Sequence, residues 1–523
     1  MLQVYDRILS SAHVETLIVI TGAVVFAMII QSILDSIRSR LLFGLGLSFE
    51  NTVQKQIYEI SIIESAQRKQ AQNLWALSQS VKNFISSPWM GALLDLPWVP
   101  AYLIVIYLFH PMMGLAALIG ALLMIIIAFF NFKITQKSTA DAMALNTDAR
   151  EYLDSSKQNA EAILGLGMLP SGEKMWANKT IEINNRLSQG FVLSASMTAF
   201  AKFFRMFIQV AMLSIGAYLV IRNEMSGGAI IANAIMLSRA LAPIELISFG
   251  WKNMQEALLG LEKLLSLPLS SDLRKSRVST TFTSPNGTLS VENLYYHIGS
   301  PPKPIIKGIS FALNKGDVLA IVGPSGSGKT SLIRLMLGIW EPSAGVTRYD
   351  GADIEIFGSD FFLSHIGYLP QQVQLFPGTI NDNIARLSEP DDESVIAAAK
   401  LAGCHEMIMQ LPDGYHTRVG NNGCNLSMGQ QQRIGLARAF YGNPSYLFLD
   451  EPNSNLDYEG DTALLKAIKK CSENGTTVVL VAHRTSILVN CSKMLFLKGG
   501  QQIVFGNKDE VLNKIANEYR EKP

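Results

Sequence analysis

The sequence predicts a multi-domain membrane protein, with an all-α membrane half over residues 1–265, a linker over 266–286 and a soluble α/β domain over 287–523. Three observations predict it. Apolar residues crowd the first half in charge-free runs long enough for a bilayer core, which takes about 20 helical residues. From about residue 287 β-branched strands alternate with helices, the pattern of a mostly parallel sheet. Inside that second half a glycine-rich loop ending in Lys329-Thr330 lies between an apolar run at 318–322 and a helical stretch at 331–337.

Composition agrees. Of the 523 residues 48% are apolar and 17% charged, where soluble chains carry about 25% charged residues. Mean hydropathy is +0.22. Lys and Arg number 44 against 43 Asp and Glu, a net charge of +1, so no overall field attracts nucleic acid. A disordered chain does not combine so much apolar content with so little charge. Cys404, Cys424, Cys471 and Cys491 form no CxxC pair, which argues against a disulfide scaffold or zinc finger.

Taken in order, residues 16–34 carry no charge, and neither a basic start nor a small-residue exit marks them as a cleaved signal. Residues 96–132 contain no Asp, Glu, Lys or Arg. They divide into spans at 96–110 and 111–132, because proline disfavours helix in the residue before it and His110-Pro111 supplies a turn. A fourth span is expected at 200–221, with Lys202 and Arg205 near one end as interfacial anchors, and a fifth at 228–247, interrupted by Arg239 and Glu245. Basic residues gather in the two long connections, from Arg38 to Lys82 and from Lys133 to Arg186, so both are expected on the cytoplasmic side. Residues 140–166 are rich in helix formers and lack proline, so the spans are expected to continue as helices beyond the membrane. Five spans and a cytoplasmic second half place Met1 outside. Arg239, a cation at bilayer depth, either lines a translocation path or pairs with a backbone carbonyl or a carboxylate.

Gly323-Pro324-Ser325-Gly326-Ser327-Gly328-Lys329-Thr330 fits G-x-x-x-x-G-K-[ST] at every position. Glycines let backbone N–H groups face phosphates, and the following helix N-terminus, with Ser331 in its first turn, adds a favourable dipole. Lys329 is expected on the β- and γ-phosphates of ATP and Thr330 on Mg²⁺. About 120 residues later Tyr446-Leu-Phe-Leu-Asp450-Glu451 reads as a buried strand ending in two carboxylates. Asp450 is the candidate on the Mg²⁺ side and Glu451 the candidate general base for a water attacking the γ-phosphate.

These residues resemble the ATP-binding cassette (ABC) family, and further motifs extend the resemblance. Leu426-Ser427-Met428-Gly429-Gln430 is similar to the family signature LSGGQ. Gln371, in Tyr368-Leu-Pro-Gln371, falls where the family's glutamine loop meets metal and attacking water. Ser454-Asn-Leu-Asp457 resembles the loop that crosses the dimer, and His483 the switch histidine. The resemblance implies that Ser427, Gly429 and Gln430 of one cassette cap the nucleotide held by another. One cassette per chain then implies a homodimer, or a heterodimer with a related half. Met428 in place of the middle signature glycine and Gln431 in place of the following arginine are departures expected to slow turnover. Tyr296 stands near the adenine-stacking place, beside Tyr295, although the aligned position holds Ile298.

In the membrane half, Met1-Leu-Gln-Val-Tyr-Asp-Arg, Asp95-Leu-Pro-Trp-Val-Pro, Leu108-Phe-His-Pro and Ser238-Arg-Ala-Leu-Ala-Pro-Ile-Glu245 resemble type I secretion ATPases. The resemblance implies an ABC exporter-type transmembrane domain and ATP-driven export of a polypeptide bearing a C-terminal signal across the bacterial inner membrane. A membrane-fusion adaptor, an outer-membrane channel and membrane lipid are the implied partners, with no nucleic acid. It also implies a further span before Met1, so the chain is expected to start late or truncated. Export of lipids or drugs, or a hydrolysis-impaired regulatory half, are the alternatives.

Overall fold

Stretches without proline form helices far longer than a bilayer requires. Helix α1, Val14–Ala66, runs 53 residues, about 80 Å at about 1.5 Å per residue. After α2 (Leu74–Ile85), α3 (Pro88–Asp95) and α4 (Val99–Phe109), the chain turns at His110, whose backbone is extended. Pro111 opens α5, Pro111–Gln158, and His110 Nδ1 caps it by accepting from the Met112 amide at 3.2 Å. The helix expected over 140–166 breaks at Asn159, whose side-chain amide donates to the Ser155 carbonyl at 2.9 Å and competes with the helical pattern. A short α6, Ala160–Gly165, follows it. Helix α7 spans Leu169–Ile221 and α8 spans Gly227–Leu265, the latter capped by Ser226 Oγ.

The computed structural model describes residues 3–4, 6, 13–67, 73–267, 285–299, 301–353, 363–420, 423–482 and 484–520. Most of the linker expected at 266–286 lies outside the described residues. The chain divides into two units, Met1–Ile62 with Ala71–Pro268, and Ile63–Gln70 with Leu269–Pro523.

Among the described residues, 5 helical stretches are long and apolar enough to cross a membrane, and each overlaps one expected span, the second ending at Phe109 rather than at 110. Met113, Ala117, Ala121 and Met124 recur every three or four residues on α5 and pack against Ile208 and Met212 of α7 and Leu237, Ala240 and Leu241 of α8. The opposite faces expose Leu115, Ile119, Leu122 and Ile126, and the most apolar window of α1 is 0% buried. Apolar surface on this scale fits a lipid solvent. Arg205 crosses from α7 to α8 to pair with Glu245 at 2.5 Å, and Glu245 is only 8% exposed. Arg239 is exposed and donates to Gln31 Oε1 of α1 at 3.5 Å.

The second unit is built on a six-stranded sheet in the order β12-β11-β3-β10-β9-β6. Its strands are β3 (Val318–Val322), β6 (Ile366–Leu369), β9 (Tyr446–Asp450), β10 (Thr477–Val481), β11 (Lys493–Lys498) and β12 (Gln501–Asn507); only β11 and β12 pair antiparallel. Alternation sends side chains to two cores. Val318, Ala320, Leu447, Leu449, Val478 and Leu480 pack under helices carrying Ile380, Val395, Ile434 and Leu464. Leu319, Ile321, Tyr446, Phe448, Val479 and Val481 pack with Leu332 and Met336 and with strands β1 (Leu289–Ile298) and β2 (Lys303–Leu313) of a four-stranded antiparallel sheet completed by β4 (Ala344–Tyr349) and β5 (Ala352–Asp353), while β7 (Gly378–Thr379) and β8 (Arg418–Val419) pair separately. Burial on both faces explains why β9 and β10 are uninterrupted apolar runs up to Asp450.

Arg386 ties the helical side of this unit together. Its guanidinium donates to the carbonyls of Ser364, Ile366, Arg438, Ala439 and Tyr441 at 2.9–3.3 Å. Arg386→Ala strands those acceptors and is expected to destabilise the unit by about 3 kcal/mol. Arg386→Lys should recover less than half, because an ammonium lacks the planar fork. Thermal unfolding of the full chain measures both.

Candidate nucleotide site

The parallel register gathers the sequence motifs at one end of the sheet. Val481 lies opposite Asp450 and Ile321, and Leu369 lies opposite Leu449. The chain therefore leaves β3 into the phosphate loop, β9 into Asp450-Glu451 and β6 into Pro370-Gln371 on the same edge. His483, two residues past β10, lies outside the described residues.

The phosphate loop needs its glycines. A Cβ on Gly323 would collide with the Leu497 carbonyl, and Gly328, at φ +96, would place one 2.8 Å from Ile306 Cδ1. Gly328 then starts α9, Lys329–Met336. Pro324, Ser325 and Gly326 form the exposed tip, while Ser327 is 3% exposed with no hydrogen-bond partner for its hydroxyl among the described residues. Ser331 follows in the first turn. Lys329 is 6% exposed and folds back, donating from Nζ to the Gly323 and Pro324 carbonyls at 2.9 Å each. Burial lowers its pKa, opposed by Glu451 and Asp450.

Thr330 Oγ1 donates to Asp450 Oδ1 at 3.2 Å, joining the loop helix to the end of β9. Asp450 is fully buried and its Oδ2 has no hydrogen-bond partner among the described residues. Burial raises its pKa, with Glu451 adding to the rise and Thr330, Arg334 and Lys329 opposing it. An orphaned buried carboxylate oxygen beside a threonine hydroxyl fits a hard divalent cation such as Mg²⁺. Glu451 follows at φ +52, a left-handed conformation that is strained for a residue with a side chain.

The Gln371 loop is braced from below. Asn383 accepts from the Phe376 amide and donates to its carbonyl, both at 2.9 Å. Arg438 donates to Asn383 Oδ1 at 2.7 Å and to the Gln374 carbonyl at 3.2 Å, and its guanidinium lies over the Phe376 ring. Burial and the charge of Arg386 push Arg438 down to about 10. Gln371 itself is exposed. The sequence reading missed Asn383, Arg386 and Arg438, because no motif marks a residue whose partners lie across a fold.

The signature turn opens α13, Met428–Phe440, in the chain order that counts α10 (Ile380–Ile384), α11 (Asp392–Leu401) and α12 (His405–Met409) before it. Ser427 and Gln430 form a reciprocal capping box, with Ser427 Oγ accepting at 3.3 Å and Gln430 Oε1 at 2.9 Å. The cap uses a lone pair of Ser427 and leaves its proton to give. Met428 is 59% exposed, so its side chain projects from the helix start. Gln431 braces the turn by donating to the Leu426 carbonyl at 2.9 Å.

A Cβ on Gly429 would meet the Asn455 carbonyl at 2.9 Å, so this glycine also serves packing against the 454–457 loop. Buried Gln432 donates to the Pro452 carbonyl at 3.0 Å and ties the signature helix to the segment after Glu451. Asp457 caps α14, Tyr458–Glu473, by accepting from the Gly460 amide at 2.8 Å, and pairs with Arg433. These contacts, the amide's first, hold its carboxyl below the usual range. Tyr296 stacks on Trp340, with centroids 5.0 Å apart, and packs against the core, so one of its ring faces is already taken. Tyr295 is the more exposed of the pair. Among the described residues no hydrogen bond or ion pair joins the signature turn to the phosphate loop.

The described ABC transporter domain matches residues 306–454, and the ABC transporter transmembrane region matches residues 2–241. The type I secretion system ATP-binding protein PrsD of Rhizobium meliloti (strain 1021) is 36% identical over 519 residues, covering 98% of this chain and 89% of that protein. The leukotoxin export ATP-binding protein LtxB of Aggregatibacter actinomycetemcomitans is 28% identical, over 99% of this chain and 74% of that protein. A bacterial Atm1-family ABC exporter solved with ATP bound shares the fold, with a TM-score of 0.82 at 19% identity over 99% of this chain and 94% of that one. The chain belongs to the ABC transporter family, as a multi-pass exporter half that carries one nucleotide-binding, ATP-hydrolysing domain and is related to the type I secretion ATP-binding proteins.

Proposed function

We propose that the chain is the ATP-hydrolysing exporter of a type I secretion system, working as a dimer that moves polypeptide across the bacterial inner membrane. The observation that carries the engine is the Thr330–Asp450 contact, with an unpartnered buried carboxylate oxygen next to Glu451. Relatives named for type I secretion and leukotoxin export support the polypeptide cargo. An adaptor and an outer-membrane channel complete the path. The cassette lies in the cytoplasm, in keeping with the basic long connections.

Lys329 leaves the Gly323 and Pro324 carbonyls to meet the β- and γ-phosphates of ATP, and the backbone from Gly323 to Ser331 cradles the phosphates. Thr330, Asp450 and Gln371 would hold Mg²⁺, which supplies positive charge against the phosphate oxygens. Glu451 takes the proton of the attacking water, and His483 lies beyond β10 to sense the γ-phosphate. Ser427, Gly429 and Gln430 of a second copy donate to the same phosphates, in line with their separation from the phosphate loop within one chain. Tyr296 contributes its remaining ring face to adenine. Met428 stands at the entry of this composite site.

Glu451→Gln is expected to retain ATP and lose at least about 100-fold in turnover. Turnover equal to that of the unmodified dimer in a phosphate-release assay removes Glu451 from the base role. The raised pKa of Asp450 gives a second outcome. Its burial costs the folded state as pH rises through that pKa, so the penalty is present at pH 7 and relieved in acid. Asp450→Asn is therefore expected to raise the nucleotide-free melting temperature at neutral pH while abolishing the further rise that Mg²⁺ and ATP give. Differential scanning fluorimetry reads both.

A further inference from the structure

Arg239 stands twelve residues past Gly227 in the membrane-length stretch Gly227–Ser248. At about 1.5 Å per residue that is about 18 Å from one end, near the middle of an apolar core about 30 Å thick. The same helix pair neutralises another arginine internally, Arg205 on Glu245. Arg239 has no carboxylate partner among the described residues, only the neutral Gln31 at 3.5 Å. It lines a groove of about 360 Å³ between Gln209 and Leu213 of α7 and an α8 face carrying Ile231, Ile235 and Ser238. A cation at this depth, in a groove walled by one amide, a hydroxyl and aliphatic groups, calls for an anion from outside the helix pair.

We propose that this groove recognises carboxylates of the polypeptide cargo. Arg239 pairs with aspartate and glutamate side chains as the unfolded chain passes, while Gln31, Gln209 and Ser238 offer hydrogen bonds to its backbone. A lipid phosphate stays at the headgroup level, far from the bilayer middle, so the depth favours a peptide. The proposal rests on the polypeptide-export reading.

The test uses the full-chain dimer in phosphatidylcholine nanodiscs and a fluorescent Gly/Ser-rich peptide carrying aspartates, against its asparagine isostere. The unmodified dimer is expected to bind the acidic peptide about tenfold more tightly by anisotropy. Arg239→Gln should abolish that preference and Arg239→Lys should keep most of it. Ile235→Glu keeps the arginine but supplies an internal partner one turn away, and should also abolish it; it decides the matter if Arg239→Gln fails to assemble. A preference that survives both Arg239→Gln and Ile235→Glu overturns the proposal and leaves the export reading standing. If neither peptide binds the unmodified dimer, with or without ATP, the polypeptide reading falls as well.

Discussion

The hydroxyl of Thr330 reaches Asp450 across 3.2 Å, and through that contact the loop helix is fixed to the end of a strand buried on both faces. Among the described residues one oxygen of Asp450 is satisfied and the other is not. The sheet holds the carboxylate dry, so its negative charge is costly until a cation arrives. The back-folded Lys329 and the strained Glu451 belong to the same economy. Each is held by the surrounding fold in a conformation it would not adopt free in solvent.

Rigid ties spread from that point. Asn383 and Arg438 clasp the Gln371 loop to the signature helix, Arg386 ties the start of β6 to the end of that helix, and Gln432 clasps the helix to the segment after Glu451. Gly429 and Arg433 hold the 454–457 loop against the same helix. The Gln371 loop and the signature turn are thereby joined through one helix, so a shift at Gln371 has a mechanical route to Ser427.

The membrane half treats its charges unequally. Arg205 and Glu245 cancel each other between α7 and α8, whereas Arg239 faces a groove with an amide as its described partner. Paired charge is structure; a lone cation at bilayer depth is an invitation to an anion. The long helices themselves follow from apolar and helix-forming sequence, with α8 accommodating Pro243 in its interior.

The sequence by itself determined the two-part architecture, the five membrane-length stretches, and the loop, strand and helix that surround Lys329. Each of these rests on local information: glycine spacing, apolar runs, or proline at a turn. Asn159 shows the limit of that information, since a stretch rich in helix formers still broke where one side chain competed for the backbone. Tertiary structure alone decided that Arg205 meets Glu245, that Tyr296 lies on Trp340, and that Arg438 reaches the Gln374 carbonyl and Asn383. Those partners lie tens of residues apart in the chain. Which carbonyl a guanidinium meets is settled by packing, which no spacing along the sequence encodes.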